Sequence, residues 1–504
     1  MINQKEFLKW NKNSQTKYVL HIGPTNSGKS HTALQELKTA KNGIYLCPLR
    51  LLAWEVSEKL NNDGINCDLI TGEEQVIKDN AKFTACTIEM LNYSASYEKV
   101  VIDECFMITD KNRGKHWLKA ILEVNSEEIH LICNEESENL IKEILEKTNK
   151  KYEVKKYQRL TPLICCEKPY LISGDTNKTV FVTFGRKSVF QFKNQFESKK
   201  RKATALYGNL PPELKKKQIK RFIDGETDIC VSTDVIGMGL NLPCETICFT
   251  DINKFDGQKI RLLNSIEIKQ IAGRAGRFGL SKEGKVTAIK NKDLNYIRQQ
   301  LQKFEPLKTA YFGIDDDIFN LFPENTSVRD RLKYFEKNEV IPINLQDLIS
   351  KEEIKKYLEL DHYFELIKSS KDISPEYRWY FITSPVHETS TDYWIYAIKN
   401  YIDKKIILTP KFKNIKIANS TDAEQCEKIL HDSDLYLYFS NHRVFKNYVF
   451  EKEKVLKFKY ELIEKLDQFL LDRKLTSIKK CNACKKDLPI SHKYNICNKC
   501  YFKD

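Results

Sequence analysis

The sequence predicts an α/β protein in which two consecutive parallel-sheet units of about 150 residues each precede a mainly helical region and a small cysteine-bearing tail. Three observations carry this prediction. Short β-branched runs alternate with amphipathic helical patterns from Tyr18 to about Lys156, and again after the stretch YQRLTPL. Beyond about Phe304 the apolar spacing turns helical. Of the 15 cysteines, only the last four stand in a regular pattern.

In the first unit the strand candidates are YVLHIG, GIYLCP, KVVIDE and EIHLIC, with helices such as SHTALQELKTA between them. Strands separated by helices build parallel sheets. The second alternation holds TVFVTF (Thr179 to Phe184), TALYG (Thr204 to Gly208), DICVST (Asp228 to Thr233) and ETICFT (Glu245 to Thr250). In the third region Ile354, Tyr357, Leu358, Phe364 and Ile367 recur near helical spacing, as do Phe458, Leu462, Leu466, Phe469 and Leu470. The boundaries read as 1–156, 157–303, 304–475 and 476–504. No solenoid-period repeat or low-complexity linker interrupts them.

Hydrophobic residues make up 41% and charged residues 30%, and no stretch approaches the ~20 apolar residues that span a bilayer. A membrane partner is therefore not expected. The first residues, MINQKEFLKWNKNSQTK, contain no apolar run of signal-peptide length, include Glu6 and lack Arg. Single cysteines in apolar settings, such as Cys47, Cys86, Cys105, Cys133 and Cys230, read as reduced thiols. Together these predict a cytoplasmic protein. The 83 Lys and Arg against 69 Asp and Glu give +14, which attracts polyanions, although AT-rich codon usage produces the same bias.

GPTNSGKS, made of Gly23, Pro24, Thr25, Asn26, Ser27, Gly28, Lys29 and Ser30, follows a strand and opens a helix. That is the context of a phosphate loop, whose amides and helix N-terminus hold phosphate oxygens. Lys29 is expected to reach the β- and γ-phosphates of ATP, and the Ser30 hydroxyl to ligate Mg2+. At the end of the strand KVVIDEC, Asp103 is expected to hold Mg2+ through its water shell and Glu104 to polarise the attacking water. In the second unit QIAGRAGR places Arg274 and Arg277 three apart, on one face if helical, where they can reach the triphosphate. A basic nucleic-acid patch is the alternative for this pair.

ETICFTDINKFDGQKIRLLN contains two β-type runs around Asp256-Gly257, a hairpin signal. In the tail, Cys481, Cys484, Cys497 and Cys500 form two C-x-x-C pairs suited to a tetrahedral Zn2+ shell; disulfides are the alternative, and His492 reads as a surface residue. From Thr476 to Asp504 seven Lys face two acids, a balance of +5. A second nucleic-acid grip, a structural cap and a protein-docking knuckle all fit that tail.

These motifs in register resemble superfamily 2 helicases of the DExH kind, and within them the suppressor-of-var family of RNA helicases, known from the mitochondrial RNA-degrading complex and from bacterial relatives. The resemblance is carried by GPTNSGKS, PLRLLAWE (Pro48 to Glu55), DLITGEE (Asp68 to Glu74), VIDECFM (Val101 to Met107), YGNLPPE (Tyr207 to Glu213), STDVIGMGLNLP (Ser232 to Pro243), KFDG (Lys254 to Gly257) and QIAGRAGRFG (Gln270 to Gly279). YRWYFITSPV (Tyr377 to Val386) and DLYLYFSNHRVF (Asp434 to Phe445) resemble its C-terminal helical module. The likeness extends to about Leu475 and does not include the cysteine tail.

The resemblance implies two tandem RecA-like domains and ATP-driven movement on RNA, 3′-to-5′, with unwinding. Pro48, Arg50, Thr71 and Gly72 would contact the nucleic-acid backbone from the first domain; Gly185, Arg186 and Thr233 would do so from the second. Asp234 and Gly237 would lie beside the nucleotide, with Gln270 near the γ-phosphate. The hairpin at Phe255, Asp256 and Gly257 would part the strands. An exoribonuclease partner is a family-level expectation, and a monomer is expected. Two positions depart from the family pattern: Phe106 stands where it has Gln or His, and CNEES (Cys133 to Ser137) replaces its third motif. Both belong to coupling in the family. A DNA translocase with the same ATP site, and an ATPase that clamps nucleic acid without unwinding it, therefore stay beside the RNA helicase reading.

Overall fold

Each β-branched run forms a strand buried on both faces, as a helix-covered parallel sheet requires. The computed structural model describes residues 15–72, 74–171, 178–208, 210–237, 242–255, 260–276, 281–314, 322–337, 341–366, 373–403, 405–411, 417 and 420–471. The chain divides into two units. The first comprises Met1–Leu160, Lys303–Phe412 and Ile429–Lys457; the second comprises Thr161–Gln302, Lys413–Lys428 and Phe458–Asp504.

The first unit begins with β1 (Lys17–Ile22), α1 (Lys29–Lys38), β2 (Gly43–Cys47), α2 (Arg50–Asn62), β3 (Cys67–Ile70), β4 (Gln75–Val76), β5 (Phe83–Thr87) and β6 (Tyr97–Ile102). It continues with α3 (Gly114–Glu123), β7 (Ser126–Cys133), α4 (Glu138–Lys147) and β8 (Tyr152–Lys156). The sheet order is β4-β3-β5-β2-β6-β7-β1-β8, parallel except for β4 against β3. Its register pairs Ile22 with Cys133, Ile102 with Leu131 and Leu46, and Ile70 with Cys86. Gly23, Pro48, Thr71 and Asp103 therefore leave the sheet at one edge, where parallel α/β sheets bind ligands.

Opposite sheet faces have separate cores. Ala33, Leu34 and Leu37 of α1 and Ala53, Val56 and Leu60 of α2 pack on Tyr45, Cys47, Val101 and Ile132. Trp117, Leu118 and Ile121 of α3 and Leu140 and Ile144 of α4 share the other core with Leu20, Val100, Ile102 and Leu131. The helical residues Trp379, Phe381, Trp394 and Phe439 belong to that same cluster.

The second unit is built from β9 (Leu163–Cys165), β10 (Thr179–Val182), α5 (Arg186–Ser198), β11 (Ala203–Leu206), α6 (Pro212–Ile223), β12 (Ile229–Ser232) and β13 (Thr246–Phe249). The hairpin strands β14 (Asn253–Phe255) and β15 (Ile260–Leu262) follow, then α7 (Ser265–Ala272), β16 (Gly284–Ala288) and α8 (Asn291–Gln302). Its parallel sheet has the order β11-β12-β10-β13-β16-β9. Gly185, Tyr207 and Thr233 follow the C-terminal ends of neighbouring strands.

Beyond these sheets, β17 (Ala310–Tyr311) pairs with β18 (Ile349–Ser350), and the described chain is mainly helical: Val328–Lys337, Glu352–Leu366, Pro375–Thr383, Thr391–Ile402, Ser420–Asn441 and Lys452–Leu471. Arg329 and Arg378 both donate to the fully buried Asp361, a charge that burial tolerates only when paired. The eleven cysteines among the described residues are thiols, in line with the reduced reading. Among the described residues no helix is long and apolar enough to cross a membrane.

Candidate active site

Between β1 and α1 the chain turns through two left-handed residues, Asn26 at φ 63° and Gly28 at φ 83°. Glycine adopts that region at no steric cost and Asn tolerates it. Gly23 is required for another reason: an added Cβ would lie 2.7 Å from the Tyr157 carbonyl oxygen. The segment after β8 clamps the loop. Leu160 N donates to Asn26 O at 3.0 Å and Arg159 Nη1 to Thr25 O at 2.9 Å. Lys29 Nζ donates to Pro24 O at 2.8 Å, folding the ammonium over its own loop. Ser27 Oγ is buried without a hydrogen-bond partner among the described residues. Amides, ammonium and hydroxyl of this kind fit a polyphosphate.

Across the intervening β7, Asp103 leaves β6 almost fully buried. The Tyr45 hydroxyl donates to its Oδ2 at 2.7 Å, Glu104 N donates to its Oδ1 at 2.8 Å, and Trp117 Nε1 donates to its carbonyl at 2.9 Å. Burial pushes the Asp103 carboxyl up to about 6, and the neighbouring Glu104 charge adds to this; the Tyr45 bond and the Lys29 charge oppose it. A carboxylate held at this depth, and close enough to feel Lys29, suits a divalent cation, which would favour its ionised form. Glu104 has φ 49° and ψ 51°. A left-handed Glu is uncommon, and backbone strain of this kind concentrates at functional sites.

Sequence reasoning did not find Tyr45, Trp117, Tyr157 or Arg159, nor the buried pair behind the loop. His21 Nδ1 lies 2.7 Å from the Tyr157 hydroxyl and its Nε2 2.9 Å from His130 Nδ1. Burial, reinforced by His130, lowers His21 to about 4; burial, reinforced by Lys99, lowers His130 to about 4. Both imidazoles are thus neutral supports at neutral pH. The visible signal was a polar residue inside each apolar run: His21 in YVLHI and Tyr45 in GIYLC.

The nucleic-acid candidates of the first unit gather beside one another. Arg50 opens α2, and an added Cβ on Gly72 would lie 3.9 Å from its Nη2. Thr71 closes a turn with Glu74 through N–H to carbonyl at 2.8 Å and Glu74 N to Thr71 Oγ1 at 3.0 Å. Pro48 O accepts from Arg113 Nη2 at 2.5 Å.

In the second unit Gly185 caps α5, and Thr233 is buried next to the turn Asp234–Gly237. Arg186 is engaged within the unit, its guanidinium paired with Glu424 and Glu427 and its side chain only 15% exposed. Gln270 lies in α7, its Nε2 buried without a partner among the described residues. Arg274 Nη2 donates to Gly237 O at 2.9 Å, which joins two motifs expected beside the nucleotide. The arginine motif does not meet the helical condition: α7 stops at Ala272, so Arg274 lies past the helix. Gly276 takes φ 72°, and an added Cβ would lie 2.4 Å from Gly284 N. Arg277, Asp256, Gly257, Cys481, Cys484, Cys497 and Cys500 lie outside the described residues; the strands flanking Asp256-Gly257 do pair as a hairpin.

Residues 5–157 match the family described as the DEXQ-box helicase domain of Suv3, and residues 155–279 match the helicase conserved C-terminal domain. Similar curated proteins include the DExH-box ATP-dependent RNA helicase DExH16 of Arabidopsis thaliana, 40% identical over 296 residues, 58% of this chain and 52% of the relative. The ATP-dependent RNA helicase SUV3 of Saccharomyces cerevisiae is 40% identical over 317 residues, 60% of this chain and 43% of the relative. The chain thus spans about half the length of the curated relatives it matches, or less. Among solved structures, S. cerevisiae Dbp5 bound to RNA and ADP BeF3 is similar at a TM-score of 0.46 and 16% identity, over 60% of this chain and 86% of that one. The named relatives are mitochondrial, which overturns the cytoplasmic placement. That placement rested on reduced thiols and N-terminal composition, and neither discriminates between compartments. Within the DEXQ box this chain reads Asp103-Glu104-Cys105-Phe106, with Phe106 packed against the core. Residues 5–157 are thus similar to the helicase domain of Suv3, and residues 155–279 to the conserved C-terminal domain of helicases.

Proposed function

We propose that this chain hydrolyses ATP to move along RNA, 3′-to-5′, and to separate its strands. The observation that carries the reading is the phosphate loop at the C-terminal edge of a parallel sheet, with the buried Asp103 and the left-handed Glu104 at the same edge across the intervening β7. Lys29 and the loop amides take the β- and γ-phosphates. Ser30, and Asp103 through water, would hold Mg2+, which would supply charge neutralisation at the phosphate oxygens. Glu104 polarises the attacking water. Gln270, Arg274 and Arg277 of the second unit stabilise the transferring group, with Asp234 and Gly237 beside it.

Pro48, Arg50, Thr71 and Gly72, with Gly185 and Thr233, hold the strand through its backbone, which positions it without reading sequence. Arg186 does not join them, because its guanidinium is taken by Glu424 and Glu427. Phe255, Asp256 and Gly257 form the separating hairpin. A clamp that hydrolyses ATP without unwinding is the second reading, favoured by Phe106 at the position where the DEXQ box has Gln. Duplexes with a 3′ or 5′ single-stranded tail distinguish the two. Unwinding of the 3′-tailed RNA duplex alone is the expected result; ATP turnover with no unwinding of either duplex supports the clamp.

Cys481, Cys484, Cys497 and Cys500 complete the proposal as a zinc knuckle. Metal analysis of the purified chain is expected to return about one zinc per chain, and a zinc-free chain would remove the knuckle from the account. A monomer is expected. An exoribonuclease partner rests on the family resemblance alone.

A further inference from the structure

Lys254 of β14 stands directly opposite Arg261 of β15. Like charges facing across a strand pair repel, and the second unit supplies carboxylates to both. Lys254 Nζ lies 2.5 Å from Asp234 Oδ2 and 3.3 Å from Glu267 Oε1. Arg261 donates to both Glu267 oxygens, Nη1 to Oε2 at 2.8 Å and Nη2 to Oε1 at 3.0 Å. Glu267 is also the third residue of α7 and completes a capping box, accepting from Asn264 N at 3.0 Å while its own N–H donates to Asn264 Oδ1 at 2.8 Å.

The connections close into a ring. Asp234 and Gly237 bound one turn; Lys254 ties the Asp234 end to the hairpin, Glu267 ties the hairpin to the start of α7, and Arg274, just past α7, returns to the Gly237 carbonyl. Tyr296 of α8 fixes the exit of the hairpin through its hydroxyl to Leu263 O at 2.8 Å. Lys254, Asp234 and Glu267 keep only 24%, 26% and 20% of their side chains exposed, so the network is less screened than a surface pair.

We infer that Lys254 is a positioning residue that transmits movement of the Asp234–Gly237 turn and of α7 to the hairpin, so that nucleotide state sets the hairpin's placement. The inference rests on the helicase reading above. A shift of the turn or of α7 cannot leave the root of the hairpin behind, because one ammonium bridges both. Lys254 touches neither substrate nor reacting atoms in this account, so its loss should spare hydrolysis and impair strand separation.

The test measures RNA-stimulated ATP turnover and duplex unwinding on the same preparations of full-length wild-type, Lys254→Met, Lys254→Arg and Glu267→Gln chains. Lys254→Met keeps most of the unbranched apolar stem and removes the charge. It is expected to slow unwinding about tenfold with ATP turnover within about twofold of wild type, as for removal of one member of a coupled network. Lys254→Arg should restore most of the unwinding. Glu267→Gln keeps an acceptor for Asn264 N–H while removing the shared carboxylate, and should show the same split; it carries the test if Lys254→Met lowers the melting temperature. Unwinding retained in both Lys254→Met and Glu267→Gln, or both activities falling in parallel, overturns the inference. Failure of the wild-type chain to unwind any duplex overturns the helicase reading, and the inference with it, whereas defects confined to the variants bear on Lys254 alone.

Discussion

Lys29→Ala is expected to lower ATP turnover by about a hundred- to a thousandfold, the effect of removing one preorganised charge donor from a phosphoryl-transfer site. Lys29 opens α1, and its Nζ rests 2.8 Å from Pro24 O, so the ammonium already lies over the loop. Alanine removes the charge and leaves the loop's left-handed turns at Asn26 and Gly28 in place. The helix should persist, because it is anchored by the buried residues Ala33, Leu34 and Leu37 on the sheet. Loss of turnover with an unchanged melting temperature would place the defect at the phosphates. Turnover within a few-fold of wild type would remove Lys29 from the site.

The second large effect belongs to Glu104→Gln. Glutamine keeps the shape and takes away the basic oxygen, so the expected result is a turnover lowered by about a hundred- to ten-thousandfold with nucleotide binding retained. Tyr45, Glu104 N–H and Trp117 hold Asp103 through atoms that the substitution does not touch. The variant should therefore accumulate bound, unhydrolysed ATP, measurable by filter binding alongside single-turnover hydrolysis. A substantial residual rate would assign the base to another group. A variant that bound no nucleotide would indicate that the backbone at φ 49° had relaxed.

The parallel sheets were legible because strands buried on both faces must be apolar throughout, as Val100, Val101 and Ile102 are. The phosphate loop and the Asp103-Glu104 pair were legible because their chemistry is local to a few consecutive residues. What supports them was not. Tyr45 meets Asp103 only because β2 pairs with β6, 58 positions away. The capture of Arg186 by Glu427 spans 241 positions. In each case the partner is chosen by tertiary packing, and the local sequence gives no sign of it. The arginine motif shows the converse: its spacing suits a helix, but the helix stops at Ala272 and Ala275 bridges Cys244 instead. The hairpin was visible as a turn signal, whereas the Lys254–Glu267 bridge at its root needed α7 to be in place.

Steady-state ATP hydrolysis by the full-length chain, with no nucleic acid, with single-stranded RNA and with single-stranded DNA, tests the central claim most directly. Strong stimulation by RNA, little by DNA and none in Lys29→Ala is the result expected of an RNA-driven motor. Equal or greater stimulation by DNA would contradict the RNA assignment while leaving the ATP site standing, and no stimulation by either would contradict the motor itself.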